Sequence, residues 1–214
     1  AAVQASGDNT NALNVQSGGN ITASSVLTVN ITGNNSRALN VESGGNATIT
    51  GPFTMDVTGD SSSAINLQFG GNITTTGPTA VTISGINANA FNIGGTVTTG
   101  AITADITGSN NNGVNIQTGG SIVTTGAITI TTTNGDNTNA FNLQSGAGIT
   151  AADAVTINMN GNNANAFNLS GLTALAGPVA ITMAGDNTNA FYVQTGANVT
   201  VSNAITANMM GNNA

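Results

Sequence analysis

The sequence predicts an all-β protein, a parallel β-solenoid (β-helix) of about eight coils with three short strands in each coil. Three observations predict this fold. A unit of about 26 residues repeats along the whole chain of 214 residues. Each unit holds segments in which apolar and polar residues alternate between turns rich in Gly and Asn. Charged residues make up only 4% of the chain.

The repeat is marked by a glycine that is followed two residues later by Asn or Ser. Successive glycines of this kind lie 23 to 27 residues apart, which gives eight complete units and the start of a ninth. We therefore predict a single domain over residues 1–214. Its repeats begin near Gly7, Gly33, Gly59, Gly85, Gly108, Gly135, Gly161, Gly185 and Gly211.

The first unit predicts three strands, over Ala12–Gln16, Asn20–Thr22 and Leu27–Thr32. These segments are rich in Thr and β-branched residues, and Gly or Asn recurs too often for a helix. One unit buries too few apolar side chains to offset the entropy of ordering about 26 residues. Stability must therefore come from stacking, and eight coils at ~4.8 Å each predict a rod about 38 Å long.

Stacking in register brings equivalent asparagines into one column. Stacked primary amides can bond along such a column as in a cross-β ladder, although a corner-forming role in the turns would also place Asn there. Tyr192 breaks the column. The predicted ladder is Asn14, Asn40, Asn66, Asn92, Asn115, Asn142 and Asn168.

The residue before each of these asparagines is apolar and predicts a column of the core. It becomes aromatic toward the end of the chain. The predicted core column is Leu13, Leu39, Ile65, Phe91, Val114, Phe141, Phe167 and Phe191.

Composition argues against catalysis and cofactors. The chain has no His and no Cys, and Arg37 is its one basic residue against eight acids. We therefore expect no catalytic site, no metal site and no cofactor, no binding of nucleic acid, and no membrane insertion. The acids are scattered, since a column of like charges would repel at each coil. In one turn position Asp8, Asp60, Asp136 and Asp186 vary with Asn34, Ile86, Ser109 and Asn162.

Three weaker signals remain. The Gly-Asp-Asn turns lack the calcium nonapeptide and supply one acid per coil, so turns without metal are expected. Glycosylation sequons occur at Asn20, Asn30, Asn34, Asn46, Asn72 and Asn198. Outward Thr pairs would suit an ice-binding face, although Asn30, Asp56 and Ala80 interrupt them; the pairs are Thr28/Thr32, Thr54/Thr58, Thr103/Thr107 and Thr129/Thr131.

Both ends of the sequence continue the repeat. Ala1–Ser6 fits a third strand, and residues 211–214 match the residues that precede a first strand. We expect a segment of a longer array or a rod that stacks end to end, although about two strands would be missing between Ala214 and the Ala1 that follows it.

The unit Gly-Asp-Asn-Thr-Asn-Ala-Phe-Asn-Leu-Gln-Ser-Gly at residues 135–146 resembles the passenger repeats of autotransporter-type proteins and related β-solenoid adhesins and matrix fibres. The resemblance covers nearly the whole chain. It implies secretion, an extracellular or cell-surface location, and a structural or adhesive role.

These observations favour an extracellular structural protein that self-assembles end to end as a subunit or segment of a surface filament or matrix fibre. An adhesin that binds surface glycans or cells is the alternative, because related passengers bind through their faces and loops. The coils have no long excursions, which favours the fibre. An ice-binding solenoid is the third possibility.

Overall fold

A computed structural model describes residues 1–68 and 70–213 of the chain. Its regular structure is entirely β, and no described segment is a helix long and apolar enough to span a membrane. The strands, in chain order, are β1 (Ala2–Ser6), β2 (Asn11–Val15), β3 (Asn20–Ala23), β4 (Leu27–Thr32), β5 (Arg37–Val41), β6 (Asn46–Ile49), β7 (Phe53–Thr58), β8 (Ser63–Leu67), β9 (Asn72–Thr75), β10 (Thr79–Ser84), β11 (Asn89–Ile93), β12 (Thr96–Thr99), β13 (Ile102–Thr107), β14 (Asn112–Ile116), β15 (Ser121–Thr124), β16 (Ile128–Thr133), β17 (Asn139–Leu143), β18 (Gly148–Ala151), β19 (Val155–Asn160), β20 (Asn165–Leu169), β21 (Leu172–Leu175), β22 (Val179–Ala184), β23 (Asn189–Val193), β24 (Asn198–Val201) and β25 (Ile205–Met210).

Strands three apart in the chain lie side by side and run parallel, which produces three sheets. Sheet A has the order β1-β4-β7-β10-β13-β16-β19-β22-β25, sheet B runs from β2 to β23, and sheet C runs from β3 to β24. Residues pair with their equivalents one coil away, as Thr28 does with Thr54 and Asn46 with Asn72. The fold is therefore a parallel β-solenoid of about eight turns, and the predicted fold class is confirmed.

Differences in coil length fall in the turns, so the strands keep their lengths. In the 23-residue coil Gly94 and Gly95 alone join β11 to β12, where residues 16–19 join β2 to β3 in the first coil. The 27-residue coil instead has an additional Asn134 in left-handed conformation after β16 (φ 53°). Register in all three sheets survives because only turn residues are gained or lost.

The boundaries in the first coil differ slightly from the prediction. The strand of sheet B spans Asn11–Val15 instead of Ala12–Gln16, because the Gln16 carbonyl accepts a turn hydrogen bond from the Gly19 N–H at 2.7 Å. At its other end Asn11 pairs with Arg37. The strand of sheet C extends to Ala23, and the strand over Leu27–Thr32 has the predicted bounds.

One apolar core runs through the solenoid between the three sheets. Sheet A contributes alternate residues, as in Val29 and Ile31. Alternation fails in sheet B, where Ala38, Leu39 and Val41 are all fully buried. The alanine position is also absent from the cross-strand register of sheet B, so the chain bends there and turns two neighbouring side chains inward.

Candidate functional site

The predicted asparagine column lies on sheet B as a continuous chain of amide hydrogen bonds, the first ladder. In each link Nδ2 of the later coil donates to Oδ1 of the earlier coil, at 2.7–2.9 Å. The side chains lie between two buried apolar residues of each strand and are mostly half-buried, with Asn40 and Asn66 buried. The chain of donors and acceptors joins Asn14, Asn40, Asn66, Asn92, Asn115, Asn142 and Asn168.

Tyr192 occupies the next position of the first ladder, as the sequence indicated, but the last amide still has a donor. Gln194 Nε2 lies 2.7 Å from Asn168 Oδ1 and takes the place that an asparagine would fill. Gln117 adds a similar contact to Asn92 Oδ1 at 3.2 Å. Longer amides two residues further along the chain therefore support the ladder.

A second ladder stands three residues earlier on the same strands, and sequence reasoning missed it. Its links are 2.9–3.0 Å long and have the same polarity as the first ladder. The sequence contains the signal, because units that read Asn-Ala-Phe-Asn-Leu have one asparagine at the first position and another three residues later. The second ladder comprises Asn89, Asn112, Asn139, Asn165 and Asn189.

The variable turn position that contains the acids forms a third system, the turn ladder. A side-chain oxygen accepts from the backbone N–H of the equivalent residue one coil later, at 2.7–2.9 Å. Asp and Asn serve equally because each has an oxygen at the same place. The sequence predicted the spacing of these acids but not this role. The acceptors are Asp8, Asn34, Asp60, Asp136, Asn162 and Asp186.

Close approach of backbones explains the glycine at the start of most units, with Gly7 and Gly135 as the exceptions. A Cβ on Gly33 would lie 2.2 Å from the carbonyl oxygen of Gly7 on the coil before it, and φ is 143°. Beside it the Ser36 hydroxyl accepts from the Thr10 N–H and donates to the Gly7 carbonyl, both at 3.1 Å. The corner between sheets A and B is thus held by bonds between coils.

The predicted core column occupies the interior of sheet B. Its six central members are at most 1% exposed, and Leu13 and Phe191 are half-buried because they lie on the first and last strands of that sheet. Phe141, Phe167 and Phe191 stack face to face, with ring centroids 4.9 and 4.7 Å apart and planes 5° from parallel. Coil spacing thus sets the distance between the rings.

The threonines considered for ice binding lie on the outward face of sheet A. Thr28, Thr54, Thr103 and Thr129 share one column, in which Ala80 intervenes. The middle column of the same face carries Asn30 and Asp56, so Thr does not form continuous ranks.

Four of the six sequons share one outward column on sheet C: Asn20, Asn46 and Asn72 on consecutive coils, and Asn198 on the last. Asn30 lies on sheet A, and Asn34 belongs to the turn ladder.

The acidic side chains are dispersed among the described residues. Among them no three or more His, Cys, Asp or Glu side chains are grouped so as to hold a metal ion. Asp56 and Asp105 share a column on sheet A but are separated by Thr82. What the arrangement does provide is repeated hydrogen bonding along the axis.

The outermost strands of each sheet have unpaired edges. On the first coil Val3, Leu13 and Ile21 are half-buried, whereas Val29 and Leu39 one coil later are fully buried. On the last coil Phe191, Val199 and Met209 are likewise half-buried. Gly211 to Asn213 add a further turn, and Ala214, which the sequence analysis placed at the junction, lies outside the described residues.

Comparison with known proteins gave no match, whether to a family model, a curated protein or a solved structure.

Proposed function

We propose that this chain is a structural element of an extracellular or cell-surface fibre, as one subunit or as one segment of a longer solenoid. Its work is mechanical and needs no catalytic residue or cofactor. The observation that carries the proposal is the set of three hydrogen-bonded ladders that run along the axis beside three continuous sheets.

The ladders support growth in one direction. In all three, the later coil supplies the donor and the earlier coil supplies the acceptor. A coil added beyond the last one, with the same polarity, would continue the second ladder from Asn189 and the turn ladder from Asn212, whereas a reversed coil would bring acceptor against acceptor. Head-to-tail addition is therefore the arrangement that the hydrogen bonds favour.

The edge strands support the same proposal. An unpaired strand edge above a half-buried apolar cross-section is a template for another strand. Further coils, from the same chain or from another copy, would cover Val3, Leu13 and Ile21 on one side and Phe191 on the other. Solenoids are stabilised by such contacts between neighbouring coils.

The resemblance of the repeat to autotransporter passengers and matrix fibres supports secretion and a surface location within this proposal. The low charge supports assembly as well, because columns of Asn, Thr and Gly extend without the repulsion that stacked charges cause.

Electron microscopy of the purified chain at micromolar concentration, with light scattering for mass, tests the proposal. Long uniform filaments are expected. Ala5→Lys places a charge at the inward, half-buried position of the edge strand β1 and should suppress filament growth. Thr103→Lys adds the same charge on the exposed side of sheet A and is the matched control.

Discrete rods with the mass of one chain would contradict self-assembly of this chain. Adhesion and ice binding would then become the leading functions, and binding to a glycan panel and thermal hysteresis would separate them.

A further inference from the structure

The outward face of sheet C carries no charged side chain. Its strands turn their first and third residues outward, and these are Asn, Thr and Ser with a few small or aliphatic residues. The outward face of sheet A, by comparison, exposes Asp56 and Asp105. With a net charge of −7, two copies of the chain meet less repulsion through sheet C than through sheet A.

An apolar patch interrupts this polar face over β15, β18 and β21. Leu172 is 59% exposed and Val123 is 38% exposed. Between them Gly148 leaves a shallow groove of about 340 Å³. A Cβ on Gly148 would have its nearest neighbour, the Ser121 Cβ, at 4.0 Å, so the groove is open to a side chain from outside.

We propose that sheet C is a lateral interface on which a second copy of the chain packs, parallel and in register, about a two-fold axis along the rod. This inference rests on the proposed function, because it describes how neighbouring fibres would pair. The two-fold places the outward column formed by the first residue of each strand in one copy opposite the outward column formed by the third residue in the other.

The pairs that result match large side chains with small ones. Leu172 faces Ala174 of the second copy, Val123 faces Ser121, and Thr150 enters the groove at Gly148. On the coils that carry asparagine, each amide faces a threonine hydroxyl, to which it can donate a hydrogen bond. Both the apolar and the polar parts of the face are therefore self-complementary.

The area also favours the parallel arrangement. A face eight strands long and four residues wide covers roughly 500 Å² per copy, or about 1,000 Å² in the pair, which is the lower end of specific interfaces. An antiparallel pair that seats Leu172 against Gly148 of the other copy would overlap over only about half as many strands. Such an area supports weak pairing of single chains. The pairing becomes stronger when many linked copies pair along a fibre.

Sedimentation equilibrium of the 214-residue chain tests the interface. Concentrations from about 10 µM to about 1 mM cover dissociation constants from roughly micromolar to millimolar. Ala5→Lys provides the background in which end-to-end growth is suppressed. We expect a dimer with twice the 20.8 kDa mass of one chain. Leu172→Ala and Ala174→Leu should each weaken it about tenfold, the first by leaving a gap and the second by setting leucine against leucine.

The informative measurement is the equimolar mixture of these two variants. In the mixed pair each leucine again faces an alanine, so the dissociation constant should return close to that of the parent. Ala180→Leu makes the same substitution on the outward side of sheet A and should leave pairing unchanged. Circular dichroism checks that every variant keeps the parent's β spectrum.

A parent that stays monomeric to 1 mM, or a mixture that pairs no better than its components, would overturn the interface. Electron microscopy of the chain without Ala5→Lys separates this failure from that of the fibre. Long filaments that never pair side by side would remove only the lateral interface, whereas absence of filaments would contradict self-assembly of this chain.

Discussion

Asn40 donates a hydrogen bond from Nδ2 to Oδ1 of Asn14 at 2.8 Å, although 26 residues separate the two in the sequence. Coil spacing in a parallel sheet is ~4.8 Å, which lets one primary amide bond both to the coil before it and to the coil after it. Asn uses its donor and its acceptor along the axis without any charge. This relationship explains why a chain with almost no charged residues still has a strongly bonded exterior.

Asn66→Asp tests the first ladder. Asn66 accepts from Asn92 and donates to Asn40, and a carboxylate would keep the first bond but place oxygen against oxygen in the second. Because Asn66 is only 6% exposed, we expect a loss of about 1–3 kcal/mol in the free energy of unfolding, measured by urea denaturation.

Asn14→Asp is the matched control for that substitution. Asn14 is exposed and only accepts a bond within the ladder, from Asn40, and a carboxylate can still accept it. Its stability should change little. Equal losses for the two variants would mean that the polarity of the ladder has no energetic weight.

Gly33→Ala tests the close approach of coils. The added methyl group would lie 2.2 Å from the Gly7 carbonyl oxygen, and neither can rotate away, because the Cα fixes the methyl group and the carbonyl belongs to the backbone. We expect a loss of about 2–4 kcal/mol in the free energy of unfolding, measured by urea denaturation.

Gly18→Ala is the comparison, since Gly18 also has positive φ (73°) but has nothing within 4 Å of the added atom. It should lose only about 1 kcal/mol, from its left-handed backbone alone. Similar losses would contradict the steric explanation.

Ile86→Asn tests whether a missing link of the turn ladder can be supplied. Ile86 donates its N–H to Asp60 Oδ1 at 2.9 Å, but its own side chain has no oxygen to offer the next coil. Asparagine would provide an acceptor for the Ser109 N–H and remove a side chain that is 46% exposed. We expect a gain of about 0.5–1.5 kcal/mol in unfolding free energy. Ile86→Ala removes the same apolar surface without adding an acceptor, so a gain in that variant too would assign the effect to the surface alone.

Much of the fold was predictable because the repeat fixes the register. Once Gly7 and Gly33 are known to be equivalent, the pairing of Asn14 with Asn40 and of Leu13 with Leu39 follows by counting. The confirmed three-strand coil follows in the same way, since turns rich in Gly and Asn separate the segments.

The finer interactions were not predictable by counting. Alternation assigns Ala38 to the opposite face from Leu39, yet both are buried because the strand bends at that position. The turn ladder depends on a side-chain oxygen reaching a backbone N–H on another coil, as Asp8 does with Asn34, and periodicity carries no information about that distance. The groove at Gly148 likewise arises from its neighbours on adjacent coils.

Phe141→Ala tests how far the core column supports the coils around it. Phe141 is fully buried and stacks on Phe167, so truncation leaves a cavity that the backbone, held by sheets on three sides, cannot close. We expect a loss of about 3–5 kcal/mol in urea denaturation. Phe191 stacks on the same neighbour from the other side but is only half-buried, so Phe191→Ala should cost clearly less. If coils add their stability to that of their neighbours, Phe141→Ala will also increase hydrogen exchange in the flanking strands β14 and β20 before it does so in β5. Uniform exchange along the rod would instead indicate that the solenoid unfolds as one cooperative unit.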